Sequence, residues 1–247
     1  MFYRINMVLL TLFILPVTAI ASDDEWEFNI TPYLWGSGLK GDIGTLPPAP
    51  VVEADISFSD IMDNLDMALM VGGEARKGRF GLIGDVIYMD IGAGGKTPGT
   101  SYGGVDLDFT LKHLALGGSY ELTQSDDYEL NALAGAYIWD LDNKLGFKTG
   151  TLPGQSISDD ARWNDIFLGL KGKADINDKW SVNGWGMTAV AGDSDAAWDI
   201  YGGVGYRYSD LVSIVGGYRH LELDYDNGPF LFDVEMSGPV MGATFSF

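Results

Sequence analysis

From Trp26 to the last residue the chain keeps returning to one pattern: about ten residues in which apolar side chains alternate with polar or small ones, then a turn. Period-two alternation is the geometry of an extended strand with one face in an apolar phase. Val105, Leu107, Phe109 and Leu111 alternate with Asp106, Asp108, Thr110 and Lys112. Trp198, Ile200, Val204, Tyr206 and Tyr208 stand opposite Asp199, Tyr201 and Arg207, and Ile166, Leu168, Leu170 and Ala174 opposite Asp165, Phe167, Lys171 and Lys173. A soluble sandwich also alternates, so the connections decide. Those at Lys77-Gly78-Arg79, Thr123 to Asp127, Asn177-Asp178-Lys179 and Ser209-Asp210 are short. Those between them, near 37–65, 93–103, 143–160, 192–196 and 226–229, are mostly longer. Strict alternation of short and long connections predicts an all-β, up-and-down antiparallel transmembrane barrel with short periplasmic turns and longer external loops.

Counting predicts about ten strands, with eight or twelve as alternatives: near 26–36, 66–76, 80–92, 104–122, 128–142, 161–176, 179–191, 197–208, 211–225 and 230–247. Val52, Ala54, Ile56 and Phe58 also alternate, and as a spanning strand would make the count odd. They are read instead as a hairpin arm in the long first external loop near 37–65, followed by a helical turn from Ser59 to Leu65 with Ser59 as N-cap. Aromatic pairs such as Phe80 with Tyr88, Phe109 with Tyr120 and Trp198 with Tyr208 fit two interfacial girdles, and Phe80, Tyr120, Tyr128, Trp180 and Tyr208 beside short turns would mark the periplasmic one.

Composition narrows the function. Thirty-five acidic against fifteen basic residues, a formal charge of −20, exclude nucleic acid as a partner, because phosphate binding rests on Lys and Arg. The absence of Cys removes disulfides, thiolate ligands and Cys nucleophiles, and leaves His113 and His220 as the imidazoles. Residues 1–21 read as a cleaved signal peptide, with Arg4 in a short n-region, an apolar run from Met7 to Leu15, and Ala19-Ile20-Ala21 as an A-x-A site. The barrel domain is then 22–247, exported and placed in the outer membrane.

At the C-terminus Met241, Ala243, Phe245 and Phe247 form one apolar face ending in Phe, which resembles the strand signal read by the barrel assembly machinery, with Phe245 and Phe247 as its key residues. Upstream the apolar phase switches to Phe230, Phe232, Val234 and Met236, and a bulge at Gly238-Pro239 is the expected cause. A similar phase change at His113 suggests a bulge or a packed histidine.

The stretches ITPYLWGSGLKGDIG, FSDIMDNLD, EARKGRFGLIGD, GGYRHLELDYD and SGPVMGATFSF resemble an uncharacterised group of Gram-negative outer-membrane β-barrel proteins. The resemblance covers most of the mature chain and implies fold and location, with no activity and no functional residue to carry over.

The expected lumen-facing residues are Glu74, Arg76, Asp85, Asp106, Asp108, Lys112, Asp165, Lys171, Asp199, Arg207, Arg219, Asp233 and Glu235, with Glu129 and Lys173. Their mixed signs in a narrow barrel predict an interior ion-pair network rather than a wide channel. Enzyme patterns are weak: Asp106-x-Asp108 with His220 superficially suggests a barrel protease, but no Asp-x-His occurs and no Ser/His motif stands out. Acidic clusters at Asp193-Ser194-Asp195, Asp140-Leu141-Asp142-Asn143 and 224–228 match no full calcium loop and read as solvated loops. The expected function is a non-enzymatic envelope barrel with at most a narrow or gated solute path, or else a surface-interaction barrel; no cofactor or metal is expected. The expected surroundings are outer-membrane lipid and lipopolysaccharide.

Overall fold

A computed structural model describes residues 25–44, 51–97, 99–228 and 230–247. The expected signal segment, 1–21, lies outside them. The elements are β1 (Glu27–Trp35), β2 (Gly38–Gly44), β3 (Val52–Ile56), α1 (Phe58–Asp63), β4 (Leu65–Lys77), β5 (Phe80–Gly95), β6 (Tyr102–Gln124), β7 (Tyr128–Thr149), β8 (Gln155–Asp175), β9 (Trp180–Gly192), β10 (Ala196–Arg207), β11 (Val212–Asp226) and β12 (Leu231–Ser246). Antiparallel pairing runs β1-β4-β5 and onward in sequence to β12, and β12 pairs back with β1, closing a ten-stranded barrel. The hairpin β2–β3 adds to the outer part of β12.

β1 and β2 are one strand in all but name. On β12, Trp35 faces Val240 and Leu39 faces Met236 in a single register. Gly36 keeps the ladder between them, its N–H donating to the Pro239 carbonyl at 2.8 Å. The alternating segment near 52–58 is thus a hairpin arm above the barrel, as its sequence suggests. The helix that follows is capped one position pair earlier than expected, by Ser57 rather than Ser59. The reason is the capping box: the Asp60 N–H donates to the Ser57 hydroxyl and the Ser57 N–H to the Asp60 carboxylate, both at 3.2 Å. Ser59 has Met62 at the third position, which cannot return the bond.

These bonds, first from the Ser57 hydroxyl and then from its backbone N–H, hold the Asp60 carboxyl below its ordinary pKa. A group depressed on folding stabilises above its unfolded pKa and loses that contribution as pH falls through the folded one. Protection of α1 amides in hydrogen exchange is therefore expected to be full at neutral pH and to fall under acid, below the ordinary carboxylate range, with Asp60→Asn showing no such change.

The outer wall divides into two zones. Leu34, Leu82, Val86, Leu116, Ile166, Leu168, Leu170, Val182, Ile200, Val204 and Ile214 are exposed on it, and rings beside the short turns, Phe80, Tyr120, Tyr128, Trp180 and Tyr208, edge this band below. Along β8 it runs from Ile176, just past the strand's end, to Ile166, and along β10 from Tyr208, likewise just past its end, to Trp198, lengths that span about 25 Å on strands tilted by ~40°. Further from the turns the same outward positions carry Lys112, Asp140, Asp142, Arg162, Glu222, Asp233 and Glu235. The strands therefore rise past the membrane into water. β7 and β8 reach Thr149 and Gln155, so most of the expected loop near 143–160 is ladder.

This two-zone wall also explains the phase switch in β12. The β11–β12 register passes from Asp226/Leu231 to Val212/Phe245 without a shift, so the bulge expected at Gly238-Pro239 is absent. Residues of even number point inward along all of β12. What changes is the medium outside: lipid at Met241 and Phe245 demands apolar odd residues, whereas water at Asp233 and Glu235 leaves apolar Phe232, Val234 and Met236 for the interior. The ladder is likewise unbroken at His113. That histidine is packed, its ring 3.9 Å from the Trp139 ring.

Candidate functional site

The inward positions of the ten strands build three layers. The layer nearest the short turns is a cavity of about 460 Å³ lined by Asn29, Thr31, Glu74, Arg76, Glu129, Lys171, Lys173, Asn183, Thr244 and Ser246 among others. Its charges are matched across the lumen. Lys171 on β8 pairs with Glu74 on β4, and Arg76 bridges Glu129 at 2.9 Å and Glu27 at 3.1 Å. Because the lining reaches Glu27, Ser246 and Lys173 at the turn ends of their strands, this vestibule faces the periplasm.

Its roof is a second layer around Arg219, which is 1% exposed. The guanidinium donates to Asp199 at 2.7 and 3.0 Å, to Asp85 at 2.9 Å and to the Tyr33 hydroxyl at 2.8 Å. Tyr33 in turn donates to Asp85, and the Trp35 and Trp185 rings lie 5.1 and 5.6 Å from the guanidinium carbon. Four strands, β1, β5, β10 and β11, are thereby tied through the barrel centre. A buried cation with two carboxylates and four charge-assisted hydrogen bonds is the arrangement in which burial is tolerated.

Above it the lumen is filled by rings. Trp139 stacks on Trp163 at 6.1 Å, Trp163 on Tyr225 at 4.0 Å, and Tyr137 lies 4.6 Å from Phe167. Phe109 packs on Phe232. Leu111, Leu141, Leu221 and Leu223 fill the remainder. Buried polar atoms in this plug without a protein hydrogen-bond partner among the described residues are both nitrogens of His113, Tyr137 Oη, Trp139 Nε1 and Asn143 Nδ2, with Trp35 Nε1 at the boundary with the Arg219 layer.

Of the expected lumen residues, Glu74, Arg76, Asp85, Lys171 and Arg219, with Glu129 and Lys173, line the vestibule or its roof. Asp199 is in the Arg219 cluster. Asp165 is inside but serves the outer mouth, accepting from the Asp193 and Ser194 N–H groups and the Ser194 hydroxyl at 2.8–3.0 Å, which staples the β9–β10 connection. Arg207 stands exposed at the periplasmic rim. Asp106, Asp108, Lys112, Asp233 and Glu235 correct the expectation: they are on the outer wall beyond the lipid band. There Lys112 and Arg162 flank Asp140, with Asp142 2.7 Å from Lys112, and Lys148 pairs with Asp106. Their alternation is real, but water lies outside them and the rings inside. Phe245 and Phe247 are at the periplasmic end of the last strand, where Phe247 and Phe28 exchange backbone bonds.

Asp106 and Asp108 on β6 are on the far side of the barrel from His220 on β11. His220 instead meets Ser237 at 2.7 Å and Glu235 at 3.4 Å, a grouping that sequence spacing conceals because it forms across a ladder. Both partners address Nδ1. A nucleophile–base–acid relay needs the acid on one ring nitrogen and the nucleophile on the other, so this geometry is not such a relay. The residues missed from sequence are Tyr33, Trp35, Trp185 and the plug rings; the available signal was parity along each strand, as in Trp185, which pairs with Tyr201 next to the Asp199 face, whereas the rings of β7 and β12 have no inward charge beside them on their own strands to mark them.

A closed antiparallel barrel with an apolar outer band, ring residues at its edge and charges held inside or above defines an outer-membrane β-barrel protein, and the outer membrane is where this chain resides. No protein-family model and no curated protein matches the chain. Among solved structures it is similar to the outer membrane protease OmpT from Escherichia coli, at 11% identity and a TM-score of 0.53 over 93% of this chain and 99% of that one. It is also similar to Ail, the attachment invasion locus protein of Yersinia pestis (10% identity, TM-score 0.37, 91% and 99% covered). A third is the toluene transporter TodX of P. putida (12%, 0.35, 92% and 90%). At such identities the likeness to OmpT is one of fold.

Proposed function

We propose that the protein is a non-enzymatic envelope barrel of the uncharacterised Gram-negative group its sequence resembles, with a narrow, gated solute path that is shut in the conformation described. The observation that supports this reading is the change of filling at Arg219: a polar, charge-matched vestibule below it, and above it packed rings with unmet polar tips. Polar tips on an otherwise apolar plug are where water or a polar solute could hydrogen-bond along such a path. Phe245 and Phe247 would present the last strand to the assembly machinery, with lipid and lipopolysaccharide as the surroundings.

Planar-bilayer recording tests the path. The wild-type chain is expected to be closed with rare discrete steps, and Trp139→Ala with Trp163→Ala to open more often. Absence of steps from both proteins at any voltage would overturn the channel and leave a plugged surface barrel.

A further inference from the structure

The barrel wall has a break in it. Between β1 and β4 the ladder ends at Pro32 opposite Val71, although β1 continues on its other side with β12 to Trp35, and β4 continues on its other side with β5 to Leu65. Pro32 has no N–H to donate, which suits the last rung. Higher up the gap must widen, because β3 pairs with β2 on the side that β4 would occupy, Ile56 opposite Leu39. One strand spacing at Pro32 therefore becomes at least two, about 10 Å, at Leu39. Continuing the β1–β4 register would set Leu65 level with Gly38, and α1 joins Ser57, beside Gly38, to that same level. The result is a triangular window: residues 33–37, the end of β1 and its link to β2, on one side, β4 residues 66–70 on the other, α1 as the lintel.

The window sits at the top of the lipid band. Leu34, 73% exposed, is the last outward apolar residue of β1, and Leu69 and Met67 face outward across from it. Behind it are Trp35, Met70, Ile87 and Ile61 of α1, all buried. Phe58 of α1 lies over Gly36, whose missing side chain leaves that place to the ring. Charges behind the window are confined to the Arg219 cluster, where each is already matched. Trp35 is both window lining and Arg219 neighbour, so one layer of side chains separates the outer leaflet from the vestibule roof.

We propose that this window is a lateral entrance for small, neutral, apolar molecules passing from the outer leaflet into the barrel, with α1 as its movable lintel. Met and aromatic linings adapt to such molecules, and the window's own acids, Asp66 on β4 with Asp60 and Asp63 on α1, are exposed at its rim rather than buried behind it. The inference goes beyond the gated path. Conductance with no change at the window would leave that path standing and overturn this entrance.

The chain has no Cys, so single engineered thiols report cleanly. In liposomes, Met70→Cys, behind the window, is expected to react with neutral N-ethylmaleimide much faster than with a sulfonated maleimide. Adding Phe58→Ala should raise that rate about fivefold by freeing α1, leave Ala115→Cys in the vestibule unchanged, and naphthalene should slow labelling of Met70→Cys alone. Equal reaction with the charged reagent, no acceleration by Phe58→Ala, or no protection by naphthalene would each overturn the entrance. Should Met70→Cys fail to fold, Ile87→Cys, opposite it on β5, serves as the reporter.

Discussion

Replacing Arg219 with leucine is expected to lower the unfolding free energy by about 3–5 kcal/mol, the cost of leaving buried carboxylates without their cation. Asp199 is itself only 1% exposed and takes two of the guanidinium bonds, so its charge has no route to solvent once the arginine is gone. Asp85 and Tyr33 lose their shared donor as well. Adding Asp199→Asn to the variant should restore part of the loss, because a neutral amide costs less to bury than an unpaired carboxylate. Urea unfolding in lipid vesicles, followed by the mobility difference between boiled and unboiled samples, gives both numbers. A loss under about 1 kcal/mol would mean that the pair behaves as an exposed one, contrary to its burial.

Leu170→Arg should cost about 2–4 kcal/mol, the penalty for a cation near the bilayer midplane. Leu170 faces outward midway between Ile176 at the lower edge of the band and Asn164 above its upper edge, and it is half exposed to what must be lipid. Asp108→Arg, also outward but on the part of β6 that stands in water, should change stability by no more than about 0.5 kcal/mol. The contrast between two outward positions on neighbouring parts of one wall tests where the membrane ends. Equal costs would place the boundary elsewhere.

The same boundary decides how far the sequence could be read. Strand positions, the closed ten-strand topology and the hairpin arm follow from alternation and turn spacing, which depend on local chemistry alone. Inside and outside do not. At the level of Glu74, Asp85 and Lys171 lipid surrounds the wall, so a charge in an alternating strand must point inward. At the level of Asp106, Lys112, Asp233 and Glu235 the same pattern has the opposite meaning, because water surrounds the wall and a ring-filled core lies within. One parity persists along each strand while the solvent outside changes, and a sequence records only the parity. The wedge between β1 and β4 was illegible for a different reason: it depends on β3 taking a place beside β2 that only three-dimensional pairing assigns.

Phe28 and Phe247 exchange two backbone hydrogen bonds, so the first and last described strands hold each other at the periplasmic mouth. The closing contact thus joins residues separated by nearly the whole chain, the costliest kind of loop to close. Until β12 arrives, β1 and β11 both present open strand edges, which in lipid or in solution are templates for wrong partners. Losing the last few residues would remove the lowest rungs, Asn29 with Ser246 and Ile30 with Phe245, and leave closure to the rungs from Tyr33 with Gly242 up to Trp35 with Val240, so the final residues set how firmly the first strand is held at the mouth.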